Sequence, residues 1–440
     1  MASTYLTIDS QAGNTSTWTW SGWVKRGELS TSQVLFGAGT VSDSFIYVRF
    51  RVEDTLQLYQ ELGGVTTIDL QTSQVFRDTS AWYHIVVAFD DTQATTSDRV
   101  KFYVNGSQIT SFGTSTYPGQ NDTTYFNNST NRPFHLGARS FDQTNIYDGS
   151  MSHVHWIDGT QYSASDFGET DATTGIWKIK TSPSVTYGTN GFFILKDGNS
   201  VTDQSGNGNN FTVAGGTLTN TEDCPSNVFC TWNPLVPPAS SNHSFENGNT
   251  TVRGTTSANV DTAFSTFAVS SGKWYCEMKL TQEGNATSSV PNFGIGSTAD
   301  FKNAPDEAYY DTSGVNLYVG RVNSTQINHN GSAEGTSFST AYDVGDIVGL
   351  ALDLDSGTKT LKFYLNGTLN ATININADEY CFICAVKRDD NDAQVDANFG
   401  NGYFGTTAVS SAGTNASGNG IFEYDVPTGY TALSTKGLNL

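Results

Sequence analysis

Cysteine is scarce in this chain. The five residues Cys224, Cys230, Cys276, Cys381 and Cys384 are odd in number and irregular in spacing. That argues against a disulfide framework and fits assembly in a reducing cytoplasm. Long hydrophobic runs are missing too: no stretch approaches the roughly 18 apolar residues a membrane span needs. The opening MASTYLTIDS has neither a basic segment nor an apolar one, so no secretory signal and no membrane insertion are expected. Positive charge is short, with 22 Lys and Arg against 43 Asp and Glu, a formal net charge of −21. Such a surface repels phosphates, which excludes nucleic acid as an expected partner. A nucleophile elbow, a phosphate-binding loop and a dinucleotide fingerprint are all absent.

What is present points to strands. The chain carries 26 Phe, 20 Tyr and 8 Trp among abundant Gly, Ser, Thr and Asn. A disordered chain would lack the aromatics, whereas short strands joined by polar turns need both. Its 440 residues predict two or three domains. Residues 84–89, HIVVAF, form a continuous apolar run, as a fully buried strand would. From Arg99 to Val104 the pattern alternates, with Val100, Phe102 and Val104 inward, and Asn105-Gly106 follows as a hairpin signal. The same grammar recurs later. IVGLAL at 347–352 precedes an acidic turn, and LKFYLNG at 361–367 matches VKFYVNG at 100–106. Two domains of related architecture are therefore expected. Pro, Ser, Asn and Gly cluster at 233–250, which places a linker at 221–250 between domains 1–220 and 251–440.

The second half resembles the SPRY domain family. The resemblance is carried by Gly272-Lys273-Trp274-Tyr275-Cys276-Glu277, Phe293-Gly294-Ile295-Gly296, Val344 to Gly349, Asn366-Gly367 and Asn398-Phe399-Gly400. It implies a two-sheet sandwich that binds partners through loops. The first half is similar to laminin-G-like, concanavalin-A-like domains. Tyr5 to Ile8, Trp20 to Lys25, Trp82-Tyr83-His84, Phe102 to Gly106, His135-Leu136-Gly137 and Gly149 to Trp156 carry that likeness. The segment Asp203 to Asn209 falls after the other strands, where such domains place it before the first. A circular permutation is expected, with residues 191–213 returning beside Tyr5 to Ile8. The fold class implied is all-β: two concanavalin-A-like antiparallel β-sandwiches, laminin-G-like and then SPRY-like.

The whole layout also resembles virion proteins of marine tailed phages. Phe167 to Lys180, Tyr187 to Phe192, Pro225 to Leu235 and Pro427 to Leu433 extend the likeness along the chain. It implies a non-enzymatic virion surface protein, made in a host cytoplasm and binding host polysaccharide or other virion proteins. A purely structural decoration or cement protein is the alternative, and a glycan hydrolase ranks last. Self-association is left open.

Candidate site residues follow from chemistry. Sugars need aromatic faces with amide and carboxylate groups beside them. Two loops offer both: Tyr117, Asn121, Asp122 and Tyr125 in one, Asp306, Tyr309, Tyr310 and Asp311 in the other. Binding is expected at such rim loops and not on the sheets, whose aromatics the core consumes. Asp203, Asn207 and Asn209 present oxygen ligands on a Gly-rich turn, so calcium is the candidate cofactor there. Asp90, Asp91 and Asp98 form a second acidic cluster. His153 and His155, two apart on a strand, are expected on its outer face, where a metal lacks a third ligand. The Cys381-x-x-Cys384 pair is expected to be buried thiols on opposite faces. Glu169-Thr170-Asp171 is the nearest approach to the glucanase acidic pattern, but Thr174 stands where the second acid would be.

Overall fold

The computed structural model describes residues 4–10, 12–127, 132–196, 201–236, 243–255, 260–283, 291–299, 316–387 and 392–439. Loop residues Asp306, Tyr309, Tyr310 and Asp311 lie outside them. The chain divides into two units, Met1–Asn220 and Thr221–Leu440.

The first unit is a sandwich of an eight-stranded and a six-stranded sheet, with antiparallel pairing throughout. Alternation explains the layering. Trp18, Trp20, Val24, Ile85, Val87, Phe89, Phe102 and Trp156 point inward from the six-stranded sheet. They meet Ile46, Val48, Phe50, Leu56, Leu58, Ile68 and Leu70 from the other. Trp18 is sandwiched between Phe89 and Trp156, each with ring centroids at 5.1 Å. The segment after residue 190 returns to this sandwich. Phe192–Ile194 pairs with Gly149–Asp158, and Thr212–Ala214 pairs with Tyr5–Ser10 in the register Leu6 to Val213.

The second unit repeats the plan. Its Lys273–Gln282 strand lies between Ile347–Asp353 and Gln394–Asn398, and Thr360–Leu365 follows in the same sheet. Trp274, Cys276, Met278 and Leu280 face the core while Tyr275 and Glu277 face outward. The opposing six-stranded sheet contributes Phe293, Ile295, Phe382 and Cys384.

Two expectations change here. Residues 221–250 are not a bare linker. Phe229, Cys230 and Trp232 are buried in the second unit, and His243–Glu246 forms a strand of its larger sheet. His153 and His155 do not share an exposed face either. A register shift between Ser152 and His155 accompanies a positive φ of 49° at His153. His155 stays on the outer side of its strand but is buried there, its ring 3.9 Å from that of Phe193 and its Nδ1 3.0 Å from the Tyr187 hydroxyl. Residues 160–190 cover that face with Phe167, Trp177 and Tyr187.

Candidate functional site

The loop 117–125 only partly keeps the character expected of it. Tyr125 is a core residue, buried against the sandwich interior, so it presents no face to a ligand. Tyr117 is half-buried and packs on the same core, edge-on to Phe112. Asn121 and Asp122 are exposed. Asp122 Oδ2 accepts the Gly119 N–H at 2.8 Å, and the Asn121 N–H donates to the Asp91 carbonyl at 3.0 Å. The loop is thus tightly turned and only its polar tip faces water.

The Asp203 turn builds itself instead of an oxygen cage. Asp203 Oδ1 accepts the N–H groups of Phe193 and Ser205, and Oδ2 accepts the Ser205 hydroxyl and the Asn209 N–H. Asn207 and Asn209 turn their amide N–H groups, not their oxygens, toward the carbonyls of Gly188, Thr189 and Gly191. Donors already fill the positions a calcium ion would take, so the arrangement serves to hold residues 203–209 against 188–193.

The remaining candidates are occupied too. Lys178 bridges Glu169 at 3.4 Å and Asp171 at 3.1 Å on an exposed two-stranded hairpin. Cys381 and Cys384 are buried free thiols on opposite faces of their strand. His84 Nδ1 accepts the Trp177 indole N–H at 3.0 Å, which leaves the proton of the neutral ring on Nε2 to donate to Ser21 Oγ at 2.9 Å. Burial lowers its pKa to about 3, so it stays neutral.

A site that the sequence reading missed lies on the outward face of the eight-stranded sheet of the first unit. On the Ser44–Phe50 and Thr55–Leu62 strands the outward phase carries Phe45, Tyr47 and Arg49, then Gln57, Tyr59 and Glu61. Phe45 and Tyr47 stack at 5.2 Å, Tyr47 and Tyr59 at 5.7 Å, and Phe141 closes one side 4.9 Å from Phe45. Phe45 and Tyr47 are buried by these neighbours, whereas Tyr59 and Phe141 remain half-exposed. Polar groups frame the rings. Tyr59 bonds Glu61 and Thr66 through its hydroxyl, and Gln57 donates to Asp69 at 2.6 Å. Arg49 lies 4.9 Å over the Tyr47 ring, and its hydrogen-bond partners are neutral: Gln57 Oε1 at 2.8 Å and Ser32 Oγ at 3.2 Å. Burial lowers the Arg49 pKa and raises that of Tyr47. Among the described residues no carboxylate pairs with Arg49, which makes its half-buried guanidinium an available donor for an incoming oxygen. The signal was legible as strict alternation in SFIYVRF, where both phases are rich in apolar or aromatic residues.

Comparison with known proteins fits this architecture. A family model described as the concanavalin A-like lectin/glucanases superfamily matches residues 1–165. No curated protein matches the chain. Among solved structures it is similar to the SPRY domain of human HERC1, at 16% identity and TM-score 0.31, over 38% of this chain and 96% of that one. The SPRY domain of TRIM65 is similar at 16% identity and TM-score 0.29, over 38% and 91%. A heptameric SAP-like pentraxin from Limulus polyphemus is similar at 14% identity and TM-score 0.28, over 36% and 71%. At such values the sandwich assignment rests on the strand pairing itself. The first unit is concanavalin-A-like, a class whose description spans lectins and glucanases, and binding of carbohydrate or protein fits it.

Proposed function

We propose that this is a non-catalytic binding protein of a virion surface, and that its first unit engages host-surface glycan through the outward face of the eight-stranded sheet. The observation that carries the reading is the half-exposed Tyr59 ring, backed by the buried Tyr47 and flanked by Arg49. An aromatic face for a sugar C–H surface stands beside amide, carboxylate and guanidinium groups for its hydroxyls. The role does not need an acidic pair, and Glu169 and Asp171, the closest match to the glucanase pattern, are both bridged by Lys178. The virion setting rests on the resemblance of the sequence layout.

A single shallow site of this kind binds weakly, on the order of a millimolar dissociation constant. Many copies on a particle would raise avidity by roughly 100- to 10,000-fold. The test is a glycan array probed with the single chain and with a multivalent display of it. Binding should appear in the multivalent form and fall about tenfold or more with Tyr59→Ala or Arg49→Ala, since each removes a main contact. Unchanged binding in both variants would move the site elsewhere. No binding in either form would favour the structural decoration role.

A further inference from the structure

Residues 163–185 of the first unit form a strap across the outer face of the six-stranded sheet. Both ends are tied down. Ahead of the strap, the Tyr162 N–H donates to Thr19 Oγ1 at 2.9 Å, and that hydroxyl donates to the Thr160 carbonyl at 2.8 Å. Behind it, the Tyr187 carbonyl accepts the Asp158 N–H at 2.8 Å. Between these anchors the Gly168–Thr170 and Trp177–Ile179 strands pair only with each other. Ala164, Phe167, Trp177 and Val185 join Val86 and Ile157 of the sheet in one apolar cluster. Among the described residues a single hydrogen bond joins residues 163–185 to the rest of the unit. In it the Trp177 indole N–H donates to His84 Nδ1 at 3.0 Å.

That latch requires a neutral imidazole. An indole N–H only donates, so Nδ1 must be bare to accept it. Nε2 is taken up with Ser21 Oγ at 2.9 Å, and the Trp23 ring stacks on the imidazole at 4.9 Å. The Trp177 ring is seated over two glycines, where a Cβ on Gly106 or on Gly168 would lie 2.5 Å from it. A second proton on the buried His84 would set one N–H against another with no water to take up the charge. The surrounding groups give no relief. His153 and His155 of the Gly149–Asp158 strand, Lys25 of Thr17–Arg26 and Lys101 of Val100–Val104 are bases. Tyr103, also on Val100–Val104, stays neutral, its pKa raised by burial. On the strap itself Lys178 bridges Glu169 and Asp171, Asp166 accepts the Ser163 N–H and hydroxyl, and Lys180 donates to the Ser165 carbonyl.

We infer that residues 163–185 are an acid-released strap: protonation of His84 breaks the Trp177 bond and lifts the segment while the sandwich beneath stays folded. The sandwich core lies on the other side of the sheet, among Ile85, Val87, Phe89 and Phe102, and does not depend on the strap. Opening would bare Val86, Ile157 and Tyr103 as an apolar patch. The sign follows from burial, which with the nearby His153 lowers the His84 pKa from 6.5 to about 3 in the closed form. The closed form keeps its full advantage above pH 6.5 and loses it as the pH falls toward 3. From pH 7.5 to 4.5 the open-to-closed ratio should rise roughly 100-fold. The glycan reading is independent of this device, since the two share no residue and lie on different sheets.

Hydrogen exchange of the full chain, read by mass spectrometry of its peptides, measures the opening. A lone two-stranded hairpin is marginal in water, so release of the strap exposes its amides. After correction for intrinsic exchange rates, protection in residues 163–185 should fall roughly 100-fold from pH 7.5 to 4.5, while the Tyr83–Asp90 and Val100–Val104 strands stay within about threefold. His84→Gln keeps an acceptor for the indole and a donor for Ser21 but cannot titrate. It should retain the neutral-pH protection and reduce the acid loss about tenfold or more. Strap and strands losing protection together would overturn the inference, as would a strap indifferent to acid. Both outcomes are read in the wild-type chain, whether or not the variant folds. In a folded His84→Gln chain, a smaller reduction of the acid loss would overturn it as well.

Discussion

Glu277 sits in the middle of the Lys273–Gln282 strand and faces away from the core, yet it is fully buried. Its Oε2 accepts the Glu423 N–H at 2.8 Å, and its Oε1 accepts the Tyr424 N–H at 2.9 Å and the Tyr275 hydroxyl at 3.2 Å. The side chain thus pins residues 422–424 over the outer face of the sheet. Burial pushes its pKa up to about 7 against those donors. A carboxyl raised above its unfolded value near 4.5 holds a proton that the unfolded chain has already lost. Its contribution is therefore full below about pH 4.5 and is lost as the pH rises to about 7. Over that window the second unit should lose stability, by about 3 kcal/mol at most. Glu277→Gln should flatten the profile, and at neutral pH should still cost about 1–3 kcal/mol, because an amide offers one acceptor to two backbone donors. Denaturant midpoints of both proteins between pH 4 and 8 check this, and parallel profiles would refute it. Nothing in KWYCEMKL announces a buried Glu277. Its cover comes from a segment about 145 residues away, as the two bonds from residues 423 and 424 make plain.

The two hairpins show how far local grammar reaches. Val100–Val104 and Thr360–Leu365 both turn through Asn-Gly, with φ of 46° and 83° at Asn105 and Gly106 and of 48° and 80° at Asn366 and Gly367. In each, the Asn side-chain oxygen accepts a partner-strand N–H, that of His84 at 2.8 Å and that of Ile347 at 2.9 Å. Phe102 and Phe363 are fully buried, while Tyr103 and Tyr364 lie on the other face. An aromatic plate crosses each turn, so a Cβ on Gly106 would lie 2.5 Å from Trp177 and one on Gly367 would lie 2.6 Å from Tyr424. Alternation and the turn dipeptide made this strand phase legible, because both act within a few residues. The plates were not legible, since they depend on distant segments, and the bulge at His153 broke an alternation that a strict period of two had extended over it. Asn105→Ala and Asn366→Ala should each destabilise their own unit by about 1–2 kcal/mol, losing the side-chain bond and forcing alanine into positive φ. Matched losses in the two unfolding transitions check the equivalence, and a loss confined to one hairpin would break it.

At the scale of the whole chain, composition misplaced the start of the second unit, and that error defines a test. Residues rich in Pro, Ser and Asn read as a linker because an isolated aromatic anchor gives no periodic signal. Residues 229–232 and 243–246 nevertheless belong to the second unit, with Phe229, Cys230 and Trp232 buried in it. Trp232 is fully buried with its ring 5.1 Å from that of Phe399, its backbone N–H donating to the Asn249 carbonyl at 2.8 Å and its indole N–H to the Thr250 carbonyl at 3.2 Å. Phe229 is buried on the outer side of the larger sheet, near Ala432, and the Cys230 N–H donates to the Leu433 carbonyl at 2.9 Å. Chain entry and chain end are thereby joined within one unit. Deleting a buried Trp or Phe side chain alone costs about 3–5 kcal/mol. A domain of this kind has about 5–15 kcal/mol in total. A fragment of residues 221–440 should therefore unfold cooperatively, whereas one of residues 251–440 should lack a sharp transition and a native near-ultraviolet signature. Trp232→Ala in the longer fragment should fall between them, lowering stability by about 3–5 kcal/mol without abolishing folding. Equal midpoints for the two fragments would show that residues 221–250 only lie against a core complete without them.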